Sequence, residues 1–418
     1  MDETEPKAVL YAEDLDVGYS NKAVIKGINV NALRGQTICL IGPNGAGKTT
    51  ILRTLAGMLA PVDGSVYISQ DTINQEDISK VKAADRARYM AVVLTEKPDM
   101  NQTTAYEIVS MGRTPFTDFF GRLDEEDHQI IRESMQAVGA SDLADRYFNS
   151  LSDGEKQKVM IARALAQEPK LIILDEPTSH LDIRHKIEVI RILNQLSQER
   201  QLTVILALHD VDIAVKSCQN VLMVKDGEVV AQGKPEDIVQ ADTIGSLYDI
   251  LGASYDSVLG SFELCYQNTP EIFVVAGAGT GAPFFRSLSR LGYGIATGIL
   301  HENDIDFKIS SAMHLTVVSE ESFSPITDAR VQQARSLMSA SSCAIDAGFP
   351  IGSFNYPNLE CLQAYAKDGG TVYSLRSSSE IADLYPGLSV TPIASVSELP
   401  AFIPLKRPDT QNGYARLD

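Results

Sequence analysis

The sequence predicts two α/β domains in tandem, the first interrupted by a helical subdomain. Three observations carry this. A short apolar strand, QTICLIG, runs into the glycine loop 42–49 and straight on into a helix. Three later runs, LIILDE, TVILALH and VLMVKDG, are largely continuous in their hydrophobicity. A second strand–glycine loop–helix unit begins at EIFVVAGAG. Continuous apolar strands suit a parallel sheet covered on both faces, and strands alternating with helices suit an α/β layer architecture.

Each element follows in order. Residues 8–17 and 23–33 alternate and read as a pair of strands. After QTICLIG, the segment GPNGAGKTT opens the helix TTILRTLAGML. From 98 to 165 the pattern is mostly helical. LTEKPDMNQTTAYEIVSMG runs into the loop GRTPFTDFFGR, and the acidic start of LDEEDHQIIRESMQAVGA suits a helix N-terminus. The apolar strands follow, separated by helical or turn sequence. Around 240–270 the pattern loosens, which puts the first domain at 7–255, a linker at 256–270, a second domain at 271–404 and a polar tail at 405–418. Neither an internal repeat nor a heptad pattern is present.

Composition narrows the function classes. A chain of 418 residues suits two or three domains at roughly 100–200 residues each. The formal charge of −19 argues against a chain that coats nucleic acid, since neutralising phosphates needs Lys and Arg in excess. Cys39, Cys218, Cys265, Cys343 and Cys361 are scattered, with no C-x-x-C pair, which suits a reducing cytosol. The N-terminus MDETEPKAVL lacks the basic and apolar regions of a signal peptide. No run approaches the ~18 apolar residues of a membrane helix, so a role at a membrane would need another chain. His180 and His185 are not spaced to share a helical face, and His301 and His314 have no neighbouring Cys or His, so structural zinc is not expected.

Gly42, Pro43, Asn44, Gly45, Ala46, Gly47, Lys48 and Thr49 match G-x-x-x-x-G-K-[ST] in full, with Thr50 next in the helix. Such a loop turns backbone N–H groups toward phosphate oxygens, and the following helix offers its positive end to the same anion. Lys48 is expected to reach the β- and γ-phosphates and the Thr49 hydroxyl to bind Mg²⁺. A plain glycine-rich turn is the weaker explanation, because the flanking strand and helix both fit. LIILDEP places Asp175 at the end of a buried strand, where it would hold Mg²⁺ through water, and Glu176 beside it, where it would polarise the attacking water.

With these two motifs in place, LSDGEKQ (151–157) makes the sequence resemble ATP-binding cassette (ABC) ATPases over about residues 8–255. The resemblance implies an ABC-type P-loop NTPase domain with a helical subdomain, ATP and Mg²⁺ as cofactors, and ATP hydrolysis. It implies that Ser152, Asp153, Gly154 and Glu155 cap the ATP held by a partner subunit, and hence a head-to-tail homodimer. Tyr19 matches the aromatic that stacks on adenine. Ser179-His180-Leu181-Asp182 matches the loop that contacts the partner, and His209 the histidine at the γ-phosphate. Lys48, Glu176 and His209 form the expected catalytic set. Two positions depart from the family. Thr95, followed by Glu96, stands where glutamine is usual, and Asp153 where glycine is usual; its charge would repel a phosphate unless the side chain turns to cap the helix.

YEIVSMGRTPF (106–116) is similar to the V-x-x-G-R-x-P segment of importers for iron–siderophore, haem and cobalamin. That resemblance implies an ATPase peripheral to the cytoplasmic face of the membrane. Permease subunits would dock near residues 95–125, fed by a substrate-binding protein. A cassette ATPase with no permease, and a bifunctional protein with a second domain in corrinoid or nucleotide metabolism, are the alternatives.

The second domain reads as Rossmann-like. Gly277, Gly279 and Ala282 satisfy G-x-G-x-x-[GA], while Glu302 and Asp304 come late for the acidic residue of a dinucleotide site. A further loop, DAGFPIGSFNYPN (346–358), also follows a strand. A small-molecule sensor and a dimerisation platform whose glycines only make turns both remain open. No Lys-Ser/Thr follows the glycine loop, so this is not a second cassette.

Overall fold

The computed structural model describes residues 8–69, 75–95, 102–256, 259–266 and 268–403. The chain divides into two units. The first runs to Val239 and includes Ser246–Tyr248; the second takes Gln240–Gly245 and the chain from Asp249 on.

The first unit holds two sheets. Ala8–Tyr19 pairs antiparallel with both Lys22–Leu33 and Asp63–Ser69, and Gln75–Asp77 completes a four-stranded sheet. The six-stranded sheet has the order Glu228–Gly233, Asn220–Lys225, Thr37–Ile41, Thr203–Ala207, Leu171–Asp175, Met90–Val93. All its pairings are parallel except at the edge strand Glu228–Gly233. Thr37–Ile41, Leu171–Asp175 and Thr203–Ala207 are buried at every position, as their unbroken apolar runs require. Leu10, Ile25, Ile28 and Ile68 of the first sheet share one core with Leu40, Ile173 and Ile205 of the second. Each such side chain stabilises by about 1.5–3 kcal/mol.

The first glycine-loop helix, Lys48–Leu55, is shorter than the sequence suggested. Gly57 takes a left-handed φ of 66° and Pro61 follows, so the chain turns out of the helix. The helical region resolves into Ala105–Ser110, Glu125–Ala137 and Asp153–Leu165, opened by capping boxes at Thr104, Asp124 and Ser152. Arg113 staples them. Its buried guanidinium donates 2.8 Å bonds to Asp127 Oδ1, the Ala166 carbonyl and Glu168 Oε2, and lies 4.1 Å from the Phe116 ring centroid. A Cβ on Gly112 would stand 2.2 Å from the Arg163 carbonyl oxygen. The Gly-Arg of the 106–116 segment therefore has a packing role.

The second unit carries an antiparallel hairpin, Ala253–Asp256 with Ser261–Leu264, and an all-parallel α/β sheet. Its order is Thr316–Glu320, Gly294–His301, Pro270–Val275, Cys343–Asp346, Val372–Ser374, Val390–Pro392. Pro270–Val275 points Ile272 and Val274 into one core and Phe273 and Val275 into another, so both faces are covered. The strands that the sequence did not reveal are short or partly exposed: Asp63–Ser69, Gln75–Asp77, Glu228–Gly233, the hairpin, and Val390–Pro392.

Candidate active site

Thr37–Ile41, Thr203–Ala207 and Leu171–Asp175 lie side by side and parallel, so the loops leaving their carboxyl ends meet at one edge of the sheet. Residues 42–49, Glu176 and His209 are brought together this way, although 167 positions separate Gly42 from His209.

The glycine loop is built by left-handed turns. Gly45 and Gly47 have φ of 79° and 96°, a region costly for side-chain-bearing residues. A Cβ on Gly47 would also strike the Ile25 side chain at 2.6 Å. Pro43, Asn44 and Ala46 complete the turn, with Ala46 N donating to the Pro43 carbonyl at 3.2 Å. Lys48 folds back over the loop, its Nζ donating to the Gly42 and Pro43 carbonyls at 2.8 and 3.1 Å. Burial lowers its pKa, while Glu176 and Asp175 favour the charged form. Lys48 is thus held over the loop by the loop's own carbonyls.

Thr49 Oγ1 donates to Asp175 Oδ1 at 3.1 Å. Burial raises the Asp175 pKa against that bond. Two oxygen donors converge here, one a carboxylate whose charge burial disfavours. This donor set fits a divalent cation with hard oxygen ligands. Thr50 Oγ1 donates to Tyr19 Oη at 3.4 Å, which stands the half-exposed Tyr19 ring at the rim.

Glu176 sits at φ 51°, unusual for a side-chain-bearing residue and strained by about 1–3 kcal/mol. Its Oε1 is 2.6 Å from His209 Nε2, and its Oε2 accepts from Ser179 Oγ at 3.0 Å. Burial opposes its charge, but the hydrogen bonds from His209 and Ser179 outweigh that and hold its carboxyl below the usual value. Thr95 Oγ1 donates to the Asp175 carbonyl at 3.0 Å, so the threonine ties its segment to the buried strand's end. Glu96 lies outside the described residues.

The segment 151–157 opens the helix Asp153–Leu165. Ser152 is the N-cap, accepting from Glu155 N at 3.3 Å while Glu155 Oε2 accepts from Ser152 N at 2.7 Å. Asp153 therefore occupies the first turn and does not cap the helix, as the sequence had allowed. Gly154 is buried, and Asp182 caps the helix Ile183–Arg200. Asp182 and His185 are joined at 2.8 Å, a contact that sequence spacing alone did not single out.

In the second unit the loop 277–282 lies at the carboxyl end of Pro270–Val275, as its strand–loop–helix pattern indicated. Its backbone amides are already engaged. Asp306, fully buried, accepts from Gly279 N (3.1 Å), Gly281 N (3.0 Å) and Ala282 N (3.2 Å), and Asp304 Oδ2 accepts from Ala278 N at 2.8 Å. A pyrophosphate on this loop would have to displace two carboxylates. The acidic residues are thus too late to meet a ribose because they serve the loop itself. At the end of the next strand in the sheet, Asp346 Oδ2 accepts from Arg376 Nε (2.7 Å), Tyr385 Oη (2.8 Å) and Ser374 Oγ (3.1 Å).

Comparison with known proteins adds the following. Residues 25–179 match the ABC transporter family and residues 295–397 the MJ0874 family. An uncharacterized ABC transporter ATP-binding protein of Methanocaldococcus jannaschii, MJ0873, is 45% identical over 296 residues, 70% of this chain and 100% of that one. The ferric enterobactin transport ATP-binding protein FepC of Escherichia coli is 35% identical, covering 59% of this chain and 89% of that one. The cobalamin import ATP-binding protein BtuD of Halobacterium salinarum is 29% identical over 77% of this chain and 81% of its own. Among solved structures, a chain from an inward-facing transporter described as of metal-chelate type matches with TM-score 0.52 and 26% identity, over 61% of this chain and 95% of that one.

Proposed function

The chain belongs to the ATP-binding proteins of ABC transporters, and from that premise we propose that it energises import of an iron chelate or a cobalamin-type cofactor through separate permease subunits. It is an ATPase subunit, and its relatives FepC and BtuD serve ferric enterobactin and cobalamin. The single observation that carries the catalytic part of the reading is the cluster Lys48, Asp175, Glu176 and His209 at one sheet edge, with the Glu176 carboxyl held below its ordinary pKa.

In the proposed mechanism Tyr19 stacks on adenine and residues 42–50 cradle the triphosphate. Thr49 and Asp175 would hold Mg²⁺, which supplies charge neutralisation on the β- and γ-phosphates. Glu176 accepts a hydrogen bond from the attacking water and takes its proton. The water oxygen bonds to the γ-phosphorus, the bond to the bridging oxygen breaks, and ADP and phosphate result. His209 orients Glu176 and reaches the γ-phosphate. Ser152, Asp153, Gly154 and Glu155 cap the nucleotide of a second copy, and Asp182 meets that copy, so the active species is a head-to-tail homodimer on the cytoplasmic face of the membrane. No helix among the described residues is long and apolar enough to span a bilayer, in keeping with separate permease subunits near residues 95–125 and a substrate-binding protein beyond them.

The domain assignment proposed is an ATPase domain at 7–255, a connecting segment at 256–270, and a Rossmann-like domain at 271–404. Counted along the chain, its strands run in the order 3-2-1-4-5-6, which supports that fold. The test of the dimer is light scattering of the Glu176→Gln variant with Mg-ATP. A dimer retaining two nucleotides is expected, and a strictly monomeric chain without bound nucleotide would overturn the assignment.

A further inference from the structure

Gly154 is a glycine for lack of room, not for its backbone angles. A Cβ built there would stand 2.4 Å from His185 Cδ2, 2.6 Å from Cγ and 3.0 Å from Nε2. The half-buried imidazole therefore lies flat against the second residue of the capping helix. The ring is fixed at its other end. His185 Nδ1 is 2.8 Å and His185 N 2.9 Å from the same Asp182 Oδ1. With the carboxylate as acceptor, Nδ1 carries the proton, and the Cδ2–Cγ side of the ring lies over Gly154. One turn further along both helices, Lys158 Nζ meets Glu188 Oε1 at 2.5 Å, so the two helices are tied at two successive levels.

Resting on the head-to-tail dimer proposed above, we infer that His185 is a positioning residue for the cap. It transmits the seating of Asp182 on the partner subunit to Gly154, whose amide faces the partner's nucleotide. The same loop reaches back to the hydrolytic site. Ser179, three residues before Asp182, donates to Glu176 Oε2 at 3.0 Å, and Glu176 meets His209. Contacts thus join Glu176 to Ser179, and Asp182 through His185 to Gly154, and the two sets are linked by the three-residue step of chain from Ser179 to Asp182. The γ-phosphate end of one subunit's site is linked to the cap that this subunit extends over the other nucleotide. A small displacement of Gly154 takes its N–H out of hydrogen-bond reach of a phosphate oxygen, so the contact acts on closure of the dimer and not on nucleotide binding to the lone chain.

The experiment uses the full chain in the Glu176→Gln background. His185→Ala is expected to weaken Mg-ATP-driven dimerisation, read by light scattering across a concentration series, by about tenfold or more, as misplaced positioning groups do. ATP affinity of the monomer, read by titration calorimetry at low protein concentration, should stay within about twofold. His185→Asn, which keeps a donor toward Asp182, should recover most of the loss. Gly154→Ala should lose dimerisation as well, and the double variant Gly154→Ala with His185→Ala should be no worse than His185→Ala alone, because the Cβ then has room. Additive losses, an unaffected His185→Ala dimer, or an equal loss of monomer ATP affinity would each overturn the inference. Should the Glu176→Gln parent itself never dimerise with Mg-ATP, the dimer reading fails and this inference falls with it.

Discussion

His209 Nε2 stands 2.6 Å from Glu176 Oε1, across two loops that leave neighbouring parallel strands. The pair shares one contact, and with Ser179 and Lys48 it holds the Glu176 carboxyl below its ordinary pKa although burial pushes it up.

Glu176→Gln is expected to bind ATP with near-normal affinity and to lose turnover by about 10²–10⁴-fold, the usual scale of a general base. Single-turnover phosphate release measures it. Normal hydrolysis by this variant would remove Glu176 from the role.

His209→Ala removes the hydrogen bond that favours the Glu176 carboxylate. The folded-state pKa of Glu176 lies below its ordinary value, so activity needing the ionised form persists at higher pH and falls as pH drops through that lowered value. In His209→Ala the acid limb of the kcat/KM profile should move upward. An unmoved limb would show that His209 does not tune Glu176.

Lys48→Ala removes the buried ammonium that now lies over the Gly42 and Pro43 carbonyls. Losing a charge-assisted bond to phosphate, worth about 1.5–3 kcal/mol, should weaken ATP binding at least about tenfold by calorimetry. Unchanged affinity would contradict the phosphate-cradle assignment.

In the second unit, Arg376→Met leaves Asp346 as a fully buried carboxylate without its cation. The expected cost is about 3–5 kcal/mol, read as an earlier unfolding transition, with ATP hydrolysis at moderate temperature unchanged. A variant as stable as the parent would mean that Ser374 and Tyr385 suffice for Asp346.

Calorimetry with a dinucleotide, performed on Lys48→Ala to weaken the first site and with the dinucleotide kept below that site's raised Kd, should give no binding heat. Asp304 and Asp306 hold the amides that a pyrophosphate would need. Measurable binding would show that the loop can release its own carboxylates.

The sequence by itself determined the identity of the ATPase domain and the buried parallel strands that frame its site. Residues 42–49, Asp175 and the segment 151–157 are contiguous motifs next to unbroken apolar runs, and both kinds of signal are local. Even Thr95, where glutamine is usual, was visible as a departure. What depends on side chains meeting across the fold was not legible. The sequence shows Arg113 only as part of the 106–116 segment; that it is also a buried staple was hidden, because its carboxylate partners lie 14 and 55 residues away. The glycine loop 277–282 looked open to a dinucleotide until folding brought Asp304 and Asp306 onto its amides. His185, set aside with His180 as a metal ligand, packs against a glycine 31 positions upstream. Local pattern encodes elements because backbone geometry is periodic. Which polar groups satisfy one another is decided only when the sheet edges and helix ends are brought within three ångströms or so, about the length of one hydrogen bond.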